Sequence, residues 1–130
     1  MKYGIVIFPS KEMQDFANSL RKRYDPRYSL IPPHITLKQP FYDSHISINH
    51  LAKQLYHLAK NFDPFSLKVI KFSSLKPITN IIYLKVELTK EIQQLHDEIH
   101  ALLNEHPDDY TFVPHITVAQ NLTDSEHSDV

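Results

Sequence analysis

The stretch Pro32-Pro-His-Ile-Thr-Leu-Lys-Gln-Pro40 (PPHITLKQP) decides how the chain is read, because residues 113–121, VPHITVAQN, say nearly the same thing again. Aligned on His34 and His115, the pairs Pro33/Pro114, Ile35/Ile116, Thr36/Thr117 and Gln39/Gln120 are identical, and Leu37/Val118 is conservative. Alternate residues of a strand share a face. His34, Thr36 and Lys38 therefore point one way while Ile35 and Leu37 point into a core. His115 and Thr117 repeat the arrangement, with Ala119 where the first copy has lysine.

The copies sit in equivalent surroundings. Tyr3 lies 31 residues before His34 and Tyr83 lies 32 before His115. KYGIVIF, residues 2–8, is apolar and β-branched and reads as a strand ending at Pro9. Ser10 is placed to cap a helix carrying Met13, Phe16, Ala17, Leu20 and Tyr24 at helical spacing, which leads to the first motif. Ile48, Leu51, Leu55, Leu58 and Phe62 give a second helix, closed by Asp63-Pro64. Residues 65–75 and 81–88 are extended runs joined at KPITN and read as a hairpin. Thr89 caps a third helix with Ile92, Leu95, Ile99, Leu102 and Leu103 inward, and the polar loop EHPDDY delivers the second motif.

The expected fold is α+β: a bilobal domain over residues 1–130, made of duplicated β-α-β units with antiparallel-rich sheets and a central cleft. Lobe 1 is expected over about 1–75 and lobe 2 over about 80–130. By that symmetry a helix and a strand belong after the second motif, where only NLTDSEHSDV follows. Lobe 2 is thus read as incomplete and the chain as a fragment, short by about thirty residues on the scale of one αβ unit.

Composition removes several classes of function. Fourteen Lys and Arg against fifteen Asp and Glu leave a net charge of −1, so no global field draws the chain to nucleic acid or membrane. There is no cysteine, hence no disulfide and no thiolate metal site. With one glycine, Gly4, inside an apolar run, glycine-rich phosphate loops are excluded and any phosphate must be held by side chains. The N-terminal apolar run is too short for a signal peptide, and the expectation is a soluble, cytoplasmic protein.

Two imidazoles and two hydroxyls facing one pocket suit in-line displacement at phosphorus. Histidine titrates near neutral pH, so one ring can take a proton from the attacking oxygen while the other donates to the departing one. Threonine hydroxyls can hold the non-bridging oxygens as charge develops. Acid, base and oxygen-binding groups are then all supplied by side chains, and neither metal nor cofactor is required.

In these motifs the chain resembles the two-histidine (2H) phosphoesterases, defined by two His-x-Thr-x motifs in a duplicated α+β fold of the LigT-like kind. HITL at 34–37 and HITV at 115–118 carry the resemblance. The opening KYGIVIFPS, the loop RKRYDPRYSLIPPHITL and the ending VPHITVAQNLTDSEHSDV are similar to the YjcG-like bacterial branch. The resemblance implies a metal-free phosphoesterase or cyclic phosphodiesterase acting on 2′,3′-cyclic or related nucleotide or RNA-end phosphodiesters. It implies His34 as proton donor and His115 as proton acceptor, with Thr36 and Thr117 binding substrate. A non-catalytic module that binds a nucleotide or RNA end in the same cleft would carry the same motifs and stands as the alternative. Neither a membrane nor an obligate protein partner is expected.

Other residues have weaker readings. Lys38 shares the motif face and could neutralise phosphate or simply be solvated. Tyr3 and Tyr83 could stack on a base or pack at a lobe edge. Arg21, Lys22, Arg23 and Arg27 are read as partners of a helix C-terminus rather than nucleic-acid contacts. His45-Ile46-Ser47 lacks the preceding proline and is read as surface at a helix start. His96 and His100, in HDEIH, lack the glutamate of a metalloprotease helix directly after the first histidine. They are expected on a partly exposed helix flank.

Overall fold

A computed structural model describes residues 2–25, 28, 30–42, 47–74, 82–103 and 112–119. The elements follow as β1 (Lys2–Ile7), α1 (Lys11–Tyr24), β2 (Ile35–Tyr42), α2 (Ile48–Lys60), β3 (Val69–Ser74), β4 (Ile82–Val86), α3 (Lys90–Leu102) and β5 (His115–Ala119). The α+β class expected from the sequence is what the chain adopts. KPITN, EHPDDY, His45, Ile46, Arg27 and the tail from Gln120 onward lie outside the described residues.

Each helix starts where a hydroxyl satisfies a backbone N–H that has no partner inside the helix. Ser10 Oγ accepts from Met13 N at 3.3 Å, Ser47 Oγ from His50 N at 3.4 Å, and Thr89 Oγ1 from Ile92 N at 3.3 Å. The strands form two sheets, one of β1 and β2 and one in the order β3-β4-β5. In the second sheet both pairings are antiparallel, with Phe72 opposite Leu84 and Leu84 opposite Ile116. The hairpin expected across residues 65–88 is therefore formed by β3 and β4.

The chain divides into two compact units, each gathered from three separate stretches. One comprises Met1–Val6, Thr36–Ser66 and Leu88–Phe112, and so holds most of β1 and β2 together with α2 and α3. The other comprises Ile7–Ile35, Leu67–Glu87 and Val113–Val130, and holds α1 with β3, β4 and β5. The sequence reading drew its line between residues 75 and 80; both units take segments from each side of it. The helix of the first repeat, α1, packs against β5 of the second. The helix of the second repeat, α3, packs against α2 and shares a unit with β1 and β2. Each repeat thus pairs its own strands and lends its helix to the other sheet.

The core of the β3-β4-β5 unit is apolar and closed, with Leu84, Val86, Ile116 and Val118 fully buried. Burying one such side chain contributes about 1.5–3 kcal/mol. This anchors the opposite face of β5, where His115 and Thr117 stand half-buried. No helix among the described residues is long and apolar enough to cross a membrane.

Candidate active site

Both Pro-His-Ile-Thr copies fold alike. Pro33 and Pro114 are fully buried, as are Ile35 and Ile116, while His34, Thr36, His115 and Thr117 remain half-buried. The alternation read from the sequence holds through Leu37 and Val118.

The role of the repeated proline emerges from the histidine rings. His34 Nδ1 lies 2.9 Å from the carbonyl oxygen of Pro32, and His115 Nδ1 lies 2.7 Å from that of Val113. A carbonyl only accepts, so in both rings Nδ1–H is the donor and the neutral tautomer carries its lone pair on Nε2. Proline fixes its own φ and restricts the residue before it to extended backbone. That restriction sets the direction of the carbonyl two residues before each histidine. Each motif thereby holds one imidazole with Nε2 as its working atom, able to accept a proton when neutral and to donate one when charged.

His34 and His115 belong to the same compact unit, together with Thr117 and Tyr83. Thr36, Lys38 and Tyr3 belong to the other, the division falling between Ile35 and Thr36. On the β4-β5 ladder His115 stands opposite Lys85, and Thr117 opposite Tyr83. The Tyr83 ring is 8% exposed and backs the His115 imidazole, with centroids 4.9 Å apart at 57°. Lys38 is half-buried on β2, its ammonium 5.7 Å from the centre of the Phe41 ring. Tyr3 is half-buried on β1.

Arg21 stands in the last turn of α1, as expected, and is also buried. Its side chain is 2% exposed and pairs at 3.2 Å with Asp25, equally buried. It also donates to Asn18 Oδ1 at 2.9 Å and to the carbonyl of Ile31, three residues before His34. The buried guanidinium therefore ties the end of α1 to the segment that enters the first motif. Its neighbours Lys22 and Arg23 are exposed in the last turn, as expected. The Arg21–Asp25 spacing was visible in RKRYD; the Ile31 carbonyl, supplied by a later loop, was not.

The histidines of α3 depart from expectation. His96 and His100 are fully buried, not on an exposed flank. Their rings lie 4.2 Å apart, and His96 stacks on Phe112 at 4.1 Å and 11°. His96 Nδ1 donates to Asp97 at 3.0 Å, and His100 Nε2 donates to the carbonyl of Leu37 at 3.0 Å. Burial pushes the His96 imidazole below its ordinary value, with His100 adding to the effect, and the bond to Asp97 only partly opposes this. Burial alone would raise the Asp97 carboxyl, but bonds from His96 and Gln93 outweigh it and hold the group low. Among the described residues no group of three or more ligands joins the pair as a metal cluster would. The two rings are structural, and one of them fixes the backbone of the strand that carries Thr36.

The family model described as the 2′-5′ RNA ligase superfamily matches residues 9–130. A Bacillus licheniformis protein named "Putative phosphoesterase" is 55% identical over all 130 residues, which cover 77% of its length. Proteins of the same name from Bacillus pumilus and Geobacillus kaustophilus are each 52% identical over the whole chain, covering 76% and 75% of their lengths.

Proposed function

The chain belongs to the 2′-5′ RNA ligase superfamily, the two-histidine phosphoesterases, and on that premise we propose that it hydrolyses a 2′,3′-cyclic or related phosphodiester at a nucleotide or RNA end, with no metal in the reacting set. The observation that carries this reading is the matched pair of rings in one compact unit, each bonded through Nδ1 to the carbonyl two residues before it.

Water attacks phosphorus and its proton passes to Nε2 of His115, acting as general base. The bond to the departing ribose oxygen breaks, and Nε2–H of His34 protonates that oxygen. A cyclic diester plus water gives a monoester and a free hydroxyl, and the two rings end with their protonation states exchanged. Thr36 and Thr117 donate to the non-bridging oxygens, whose charge grows toward the transition state. Lys38 adds positive charge on the Thr36 face. Tyr3 offers a surface for a base, whereas Tyr83 acts by holding the His115 ring. The reading asks for no membrane and no obligate protein partner, and the lack of cysteine suits a reducing, cytoplasmic setting.

Turnover of 2′,3′-cyclic nucleotides is the test. Activity should persist in EDTA and follow a bell-shaped pH profile, and His34→Ala or His115→Ala should each lower kcat by roughly 10²–10⁴-fold. Full activity in either variant, or tight nucleotide binding without turnover by the native chain, would overturn it. The second result would make the chain a binding module.

A further inference from the structure

Lys71, Lys85 and His115 stand directly opposite one another on three neighbouring strands, Lys71 paired with Lys85 and Lys85 with His115. Directly paired residues project to the same side of a sheet, so the three side chains form one row across β3, β4 and β5. The row spans two strand spacings, roughly 10 Å. Lys71 is exposed and Lys85 half-buried.

Like charges placed directly opposite destabilise a sheet unless something compensates them. Among the described residues no ion pair does so. The three strands contain no acidic residue. Glu87, just past the end of β4, forms no ion pair with either lysine among the described residues. A row of two ammonium groups ending on an imidazole, on strands that carry no carboxylate, is suited to receive an anion.

From this we infer that Lys85 and Lys71 bind a second phosphate of the substrate, next to the one that reacts at His115. The inference rests on the proposed phosphodiester chemistry and narrows its substrate class. A nucleoside 2′,3′-cyclic phosphate alone leaves the row empty, whereas a 5′-phosphorylated cyclic nucleotide or a cyclic-phosphate RNA end fills it. The recognised chemistry is the same in both, a phosphate one ribose away from the reacting phosphorus. Lysine suits this task as a mobile point charge that follows a phosphate without imposing a fixed bidentate geometry.

Two measurements on the full chain test the inference. In the first, kcat/KM is compared for adenosine 2′,3′-cyclic phosphate, its 5′-phosphorylated form, and a diadenosine ending in a 2′,3′-cyclic phosphate. The phosphate-bearing substrates should be preferred by about tenfold or more, chiefly through KM. Lys85→Ala and Lys71→Ala should each shrink that preference, while Lys53→Ala, on the exposed face of α2, should leave it intact. A 5′-phosphate effect equal to that of the dinucleotide identifies a mononucleotide substrate, and a larger dinucleotide effect identifies an RNA end; both support the inference. Equal kcat/KM for all three substrates overturns it.

In the second, calorimetry compares inorganic pyrophosphate with inorganic phosphate on native chain and Lys85→Ala. Pyrophosphate should bind more tightly, the difference should fall in the variant, and binding should weaken with salt. Pyrophosphate binding no tighter than phosphate, or indifferent to Lys85, overturns the inference whether or not any substrate turns over. Lysine-dependent binding with no turnover would instead sink the catalytic reading and leave the anion row standing.

Discussion

Nε2 of His100 on α3 donates to the carbonyl oxygen of Leu37 on β2 across 3.0 Å, joining residues 63 apart in the chain. Both groups are buried, and Leu37 follows Thr36 directly. His100→Leu would leave that acceptor without its donor and should cost about 1–3 kcal/mol. His100→Gln can place an amide N–H near the position of Nε2 and should recover much of the loss. Urea midpoints of the two variants check this; equal destabilisation by Leu and Gln would show that shape, not the hydrogen bond, is what the site needs.

The lowered His96 makes the fold sensitive to mild acid. The unfolded chain takes up this proton near the ordinary value of 6.5, the folded chain only at lower pH. The stabilising contribution of neutral His96 is therefore complete above about 6.5 and declines as pH falls below it. Asp97 is also held low and acts in the same sense further into acid, contributing above its ordinary value of 3.8 and losing that contribution as pH falls below it. Unfolding measured between pH 7.5 and 5 isolates the histidine. His96→Phe, which keeps a ring against Phe112, should flatten the dependence over that interval, and an unchanged slope would contradict the assignment.

Replacing the buried prolines tests how the rings are aimed. Pro33→Ala and Pro114→Ala free the backbone before each histidine and should cost roughly 0.4–1 kcal/mol through the unfolded chain. Loosening the carbonyl that orients each ring should lower kcat on the order of tenfold, with KM little changed. Should KM rise instead with kcat intact, the prolines serve binding rather than ring orientation.

Arg21 and Asp25 form a buried pair whose halves depend on each other. Arg21→Met removes a buried cationic partner of the Asp25 carboxylate and should destabilise by about 3–5 kcal/mol. Arg21→Met with Asp25→Asn removes both charges and should be less damaging than the single change. Denaturant midpoints give the comparison. A double variant no better than the single one would mean that the bonds from Arg21 to Asn18 and Ile31 outweigh the pairing with Asp25.

How much of this was written in the sequence depended on the range of the interaction. The caps at Ser10 and Thr89, the helical spacing and the strand alternation all act within a few residues, and they were legible. The repeat itself singled out His34, Thr36, His115 and Thr117 as candidates, and the alternation within each copy is the burial pattern observed. The exchange of helices between sheets was not legible, because an amphipathic stripe says that a face is buried without saying against what. His96 and His100 looked too polar for a core; their acceptability comes from Phe112 and the Leu37 carbonyl, which only folding supplies. Lys85 was hidden for a related reason. Its spacing from Tyr83 is plain in IYLKV, but its place beside His115 requires the antiparallel register.

The interleaved units also bear on synthesis, which runs from the N-terminus and lets domains close as they emerge. Neither unit here can close early. The unit of β1 and β2 waits for α3, and the unit that opens with α1 waits for β5, whose strand begins at His115. The first histidine is made long before the sheet that will hold the second. Until β5 arrives, β4 presents an unpaired edge of Ile82, Tyr83, Leu84 and Val86, the kind of surface on which nascent chains stick to one another.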